Sequence, residues 1–175
     1  MDTFEAIAGR RSVREFTGEP VSDADLDRLL EAARWAPSGL NNQPWRFMKV
    51  QDRSTIVEMS NMSRYRGVIA GASALIAVFL DAQDIYDRTK DLMSAGAAIQ
   101  NILLAATEAG LGACWLGEIL ARRSDVEELL EVPDDLELVA VVAIGRPTDR
   151  ERAGVRHPME KIVVTPPAPR TRREP

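Results

Sequence analysis

The chain is poor in the residues that most often carry chemistry by themselves. Cys114 is its only cysteine and His157 its only histidine among 175 residues. No disulfide can form within the chain, so nothing calls for an oxidising compartment. A zinc site built from Cys and His would lack ligands. A Ser-His-Asp or Cys-His arrangement would have to recruit His157, between Arg156 and Pro158. No metal and no nucleophilic side chain are therefore expected, and Cys114 reads as a small packed thiol. The phosphate-binding patterns GxGxxG and GxxxxGK[ST] are also missing. Met1 to Ala8 has no apolar signal core and no run approaches membrane-spanning length, so the expected location is the cytoplasm. With 22 basic against 27 acidic side chains and a net charge of −5, the chain lacks the broad basic face of a nucleic-acid or membrane-surface binder. No repeat or linker divides it. The expected organisation is a single domain over 1–164, with a disordered, proline- and arginine-rich tail over 165–175.

On this acidic background, Arg10-Arg11-Ser12-Val13-Arg14 stands out. Guanidinium forks bind phosphate bidentately and remain charged at any working pH. The stretch is either a solvated basic turn between two helices or a cradle for a small anion. About two dozen residues on comes Trp35-Ala36-Pro37-Ser38-Gly39-Leu40-Asn41-Asn42-Gln43-Pro44-Trp45. Its amides and hydroxyl either satisfy their own backbone or suit a planar, polar heteroaromatic ligand, since each amide offers a donor and an acceptor.

The remaining pattern is α+β. Asp2 or Thr3 caps a short helix carrying Phe4, Ile7 and Ala8 on one face. Ser22 opens a second, with Leu26, Leu29, Leu30 and Ala33 as its core stripe. Trp45–Gln51 alternates as a strand, with Trp45 and Phe47 on one face and Arg46, Met48 and Val50 on the other. A weak helix is expected over 54–62, a ligand-lining loop over 63–71 and a buried strand over 73–80. Residues 81–90 read as polar surface. Asp91–Ala109 is the longest helical pattern, apolar around most of its girth and ended by Gly110. A short strand follows at 113–117, then a helix with a Ser124/Glu127 capping box, then an apolar strand at 138–144. The sum is a sheet of at least three or four strands flanked by helices.

Taken together, these stretches resemble the FMN-dependent nitroreductase family. The residues that carry the likeness are Arg10 to Phe16, then Ala36-Pro37-Ser38 through Asn41, Gln43, Pro44, Trp45 and Phe47. Gly110-Leu111-Gly112-Ala113-Cys114-Trp115-Leu116-Gly117, Gly145-Arg146-Pro147 and the arm Arg156 to Val163 complete it, in the family's order. The resemblance implies a central, mainly antiparallel sheet in an intertwined homodimer, the C-terminal arms exchanged and each FMN site built from both subunits. It implies Arg10, Arg11, Ser12 and Arg156 at the FMN phosphate and Arg14 at the pyrimidine edge. Pro37, Ser38, Gly39, Asn41 and Gln43 of the other subunit would lie against the ring and ribityl chain, and backbone groups of Leu116 and Gly117 near the reactive nitrogen. Tyr65, Arg66 and Trp115 are candidates for the substrate pocket. No catalytic side chain is implied, because the flavin carries hydride from NAD(P)H to a small-molecule acceptor such as a nitroaromatic or quinone. Other uses of the fold stay open: flavin fragmentation, dehalogenation, azoline oxidation, or flavin binding without catalysis.

Overall fold

A computed structural model describes residues 1–148 and 154–166. In chain order the elements are α1 (Thr3–Gly9), α2 (Asp23–Arg34), β1 (Trp45–Val50), α3 (Arg53–Ser60), α4 (Arg66–Gly71), β2 (Ala74–Asp81), α5 (Arg88–Glu108), β3 (Gly112–Leu116), α6 (Arg123–Leu129) and β4 (Leu136–Gly145). The four strands form one sheet in the order β1-β2-β4-β3, and every pairing is antiparallel. The expected fold class is what the structure has.

The continuous apolar run of β2 is buried along its whole length because the strand is central and covered on both faces. Alternation then sorts its side chains. Ala74, Ile76 and Val78 join the layer under α2 and α5, whereas Leu75, Ala77 and Phe79 join the layer under α3, α4 and α6. β1 divides as the sequence pattern requires, Trp45 and Phe47 to the first layer, Met48 and Val50 to the second. α5 contributes Ala98, Ile99, Ile102, Leu103 and Ala106 to the first layer, and its small residues let α2 lie close. Gly110 (φ +69°) closes it, with Leu111 N donating to Ala106 O at 2.8 Å.

The stretch after α1 is held at the outer edge of β3. Ser12 bridges Ala113, with Val13 N donating to Ala113 O at 3.0 Å, and Phe16 bridges Pro147. Gly112 and Gly145, directly opposed across β3 and β4, make this seat possible. A Cβ on Gly112 would stand 2.7 Å from Val13 Cγ1, and one on Gly145 2.7 Å from Phe16 Cδ1. The bare backbone of two strands is thus the floor on which Val13 and Phe16 rest.

Several expectations need correction. Residues 66–71 are helix α4, not loop, because Val68 and Ile69 gain burial against the second layer. The Ser124/Glu127 capping box is absent. α6 starts at Arg123 from a preceding 3-10 turn, with no side-chain cap, and Glu127 accepts instead from Leu138 N at 2.8 Å. Residues 81–90 are not simply surface: Asp81 is buried, and α5 starts at Arg88 with Asp87 as its cap. Phe4 and Ile7 face outward, Phe4 being 77% exposed. The arm from 154 to 166 holds one 3-10 turn, Met159–Lys161, and leaves Val155, Met159, Ile162, Val163 and Val164 exposed. The expected disordered tail lies outside the described residues from 167 onward.

Gly145→Ala is expected to push Phe16 off its seat and lower stability by about 1–3 kcal/mol, the usual scale of an overpacked site, as read from urea midpoints. A second expectation concerns acid. Asp52 caps α3, and its carboxyl is held down to about 2 by the Ser54 hydroxyl, Thr55 N–H and Thr55 hydroxyl. A folded value below the unfolded one means the cap's contribution is complete at neutral pH and lost as pH falls from about 4 toward 2. NMR of the Asp52 carboxyl carbon should place its midpoint near the lower value.

Candidate functional site

Two corners of the sheet and one strand end carry the residues singled out by sequence. The first corner is the β3 edge. Arg10 terminates α1, and Arg11 folds back so that its Nη1 donates to Ala8 O at 2.6 Å and Arg10 O at 2.9 Å. Gly154 lets that guanidinium lie flat, since a Cβ there would be 2.8 Å from Arg11 Cζ. Arg156, on the same arm, acts on Arg10. Partial burial lowers the Arg10 pKa most, the charges of Arg156 and Arg11 lower it further, and Cys114 opposes them. Arg10 therefore lies in the field of two further cations, with the Ser12 hydroxyl beside it in the chain. Arg14 is exposed, its Nη1 reaching Ser12 O at 3.4 Å.

The second corner is the loop before β1. Here Leu40, Asn41 and Gln43 all hold positive φ (55°, 57° and 48°), a costly run for residues with a Cβ. The loop is tied from inside and outside. Ser38 Oγ accepts from Gln43 N at 3.0 Å, and Gln43 Nε2 donates to Asn41 O at 3.2 Å. Asn42 Nδ2 donates to Asp84 O and to Asp91 Oδ1, both at 2.8 Å. Asp91 is fully buried, and its other oxygen accepts from Tyr86 N and Asp87 N at 3.0 Å. Arg46 pairs with Asp81 at 2.7 Å and with Asp84, and donates to Gln43 O at 3.1 Å. Tyr86 lays its phenol on the bare Gly39 backbone. With its backbone so constrained, the loop presents Pro37, Leu40, Asn41 and Gln43 to solvent.

At the end of β3, Leu116 is buried and Gly117 is exposed at the head of a 3-10 turn, Glu118–Arg122. Glu118 reaches the loop before α4, accepting from Ser63 Oγ at 2.7 Å and Arg64 N at 3.1 Å. Tyr65 and Arg66 directly follow the turn so held, and Gly117 directly precedes Glu118. Trp115 is not in their company: it leaves the opposite face of the sheet, its ring 3.6 Å from where a Gly96 Cβ would stand.

The two corners are diagonal. Ser12 lies one strand beyond β3, and the amide loop opens β1, so four strand spacings, about 19 Å, separate them laterally. Ala113 aligns through Ile144 with Ala74 at the start of β2, whereas Pro44 O accepts from Asp81 N at its end. Seven residues of rise add about 24 Å, for a diagonal of about 30 Å. No nucleotide-sized ligand can touch both corners of one chain.

Asp91, Tyr86 and Glu118 were not among the sequence candidates, and Asn42, one of the amides offered to a ligand, turns inward to Asp84 and Asp91 instead. The one available signal was Asp91, an acid at the head of an otherwise apolar helix pattern.

A family model described as the nitroreductase family matches residues 7–65 and 60–146. The chain belongs to that family. A Desulfovibrio desulfuricans protein assigned as a nitroreductase and solved in complex with FMN is 40% identical, covering 97% of this chain and 99% of its own, with a TM-score of 0.87. An Archaeoglobus fulgidus relative named as an NADH dehydrogenase/NAD(P)H nitroreductase is 35% identical over 86% of this chain and 88% of its own length. The Bacillus subtilis FMN reductase [NAD(P)H] is 26% identical over 92% and 72%. In this member of the nitroreductase family, the paired glycines under Val13 and Phe16 and the clamped loop before β1 account for two of the motifs that the matched region contains.

Asp91→Ala would strand the Asn42 amide and two backbone N–H groups. A loss of about 3 kcal/mol or more is expected, together with loss of amide-exchange protection at Tyr86 and Asp87.

Proposed function

We propose that the chain is an FMN-dependent NAD(P)H oxidoreductase, one FMN-binding domain over 1–164, that passes hydride alternately from NAD(P)H to an electron-poor acceptor. The observation that carries this reading is the cationic corner at the β3 edge. Arg10 lies in the field of Arg11 and Arg156, and a phosphate is a natural counter-ion for such a site. The residues therefore fit the phosphate end of FMN. Ser12 Oγ supplies a neutral donor there. Arg14 is free enough of the backbone to serve the pyrimidine edge, where a cation favours negative charge on the ring.

The chemistry that FMN supplies when bound is acceptance of hydride from NAD(P)H and its delivery to a nitroaromatic or quinone. The chain's own residues bind and orient. Pro37, Ser38, Gly39, Asn41 and Gln43 form a preorganised polar rim, and the 30 Å diagonal supports their serving the site of a second copy. Leu116 and Gly117 offer backbone groups at the open end of β3, in the role proposed for the redox-active side of the ring. The exposed Phe4 and Ile7 and the apolar arm side chains suit burial between two copies, supporting a homodimer. Among the described residues no helix is long and apolar enough to cross a membrane.

Purified protein is expected to be yellow and to release about one FMN per chain, the occupancy of one bidentate phosphate cradle, and to oxidise NAD(P)H when a quinone is added. Arg10→Ala should weaken FMN binding by about 10- to 100-fold, the equivalent of one charged hydrogen bond. A colourless wild type that ignores added FMN, or an Arg10→Ala variant with undiminished affinity, overturns the assignment.

A further inference from the structure

Glu118 is the residue that the proposed chemistry leaves unused and the geometry does not. It directly follows Gly117, and its side chain is only 26% exposed. It spans 55 residues of sequence to hold the turn before α4. One carboxylate oxygen accepts from Ser63 Oγ at 2.7 Å and from Arg64 N at 3.1 Å, and the other faces Arg64 Nε at 3.6 Å. Ser63 Oγ also accepts from Tyr65 N at 3.0 Å. The chain is thus Glu118, Ser63, Tyr65 N–H: one carboxylate sets the backbone on which Tyr65 stands. Tyr65 is itself half-exposed and heads α4. The Arg64 ion pair adds little, since that side chain is 90% exposed and screened by water. The hydrogen bonds to Ser63 and Arg64 N are what fix the turn.

We propose that Glu118 is a positioning residue for the acceptor pocket. By tying the Ser63–Tyr65 turn to the Gly117 end of β3, it makes Tyr65 a wall of the space where the acceptor docks. This rests on the flavin reading, in which Gly117 borders the redox-active side of the ring. A carboxylate suits the task because it accepts several hydrogen bonds at once and has no proton of its own to place. Removing it frees the turn without touching the arginine corner, so the loss falls on acceptor binding rather than on FMN retention.

The test is steady-state NADPH oxidation with 1,4-benzoquinone as acceptor, on FMN-loaded wild type and the variants Glu118→Ala, Glu118→Gln and Ser63→Ala. Glu118→Ala is expected to raise the KM for benzoquinone about tenfold, the equivalent of one charged hydrogen bond. Its kcat should stay within about twofold, the mark of lost uniform binding, and its FMN content should match wild type. Glu118→Gln retains an acceptor oxygen and should recover much of the effect. Ser63→Ala breaks the relay to Tyr65 without altering charge and should shift KM in the same direction, while Arg64→Ala should leave it unchanged. Unaltered KM in both Glu118→Ala and Ser63→Ala overturns the proposal while the flavin reading stands. Loss of FMN in step with KM also overturns it, because Glu118 would then be a general scaffold residue. A wild type without FMN or NADPH oxidation removes the flavin reading itself, a result separable from the other two.

Discussion

The approach of Arg11 and Arg156 to the partly buried Arg10 is the constraint around which the β3 edge is built. Nothing in a solvated turn would keep three guanidiniums close, so the backbone has to. The edge segment is tethered by Val13 N to Ala113 and by Thr17 N to Arg146 O at 3.0 Å. Both tethers depend on the uncluttered backbone of Gly112 and Gly145, which accept Val13 and Phe16 as a lid. Arg11 is fixed by carbonyls at the end of α1 and by the bare face of Gly154. On the proposed reading, this fixed field is electrostatic preorganisation for the phosphate of FMN.

The loop before β1 stores something different. Three side-chain-bearing residues sit in the left-handed region within four positions, a conformation that costs free energy at each. The compensating interactions come from behind: Asp91 collecting three N–H groups, Arg46 bridging two aspartates and the loop carbonyl, Tyr86 covering Gly39. Polar groups that the loop turns outward are therefore presented in one arrangement rather than many.

Much of this was legible in the sequence because period and punctuation are local. The doubly buried β2 announced itself as an unbroken apolar run, and Asp2, Ser22 and Gly110 marked helix ends that the structure keeps. α4 was obscured because Arg66–Gly71 is six residues with two glycines, and only packing of Val68 and Ile69 makes it a helix. Ser124 and Glu127 had the spacing of a capping box, yet a long-range bond to Leu138 N took Glu127 away. Glu118 was invisible as a site residue for the same reason, and Asp91 showed only as an acid heading an apolar helix, its role unread. Their partners lie 55 and 49 residues distant, and no local pattern encodes such a pairing. The arginine stretch could be seen but not weighed, since its charge cluster forms only when Arg156 returns from the far end of the chain.

The diagonal placement of the two corners has a genetic consequence in a two-copy assembly. Under the proposed FMN reading, each ligand position would draw its cationic half from one polypeptide and its amide half from the other. A chain disabled at Arg10 and a chain disabled at Asn41 would each be inert as a homogeneous population. Mixed within one assembly, they would leave one position with both lesions and the other with none. Alleles of this protein should therefore complement one another across its two corners and fail to do so within either.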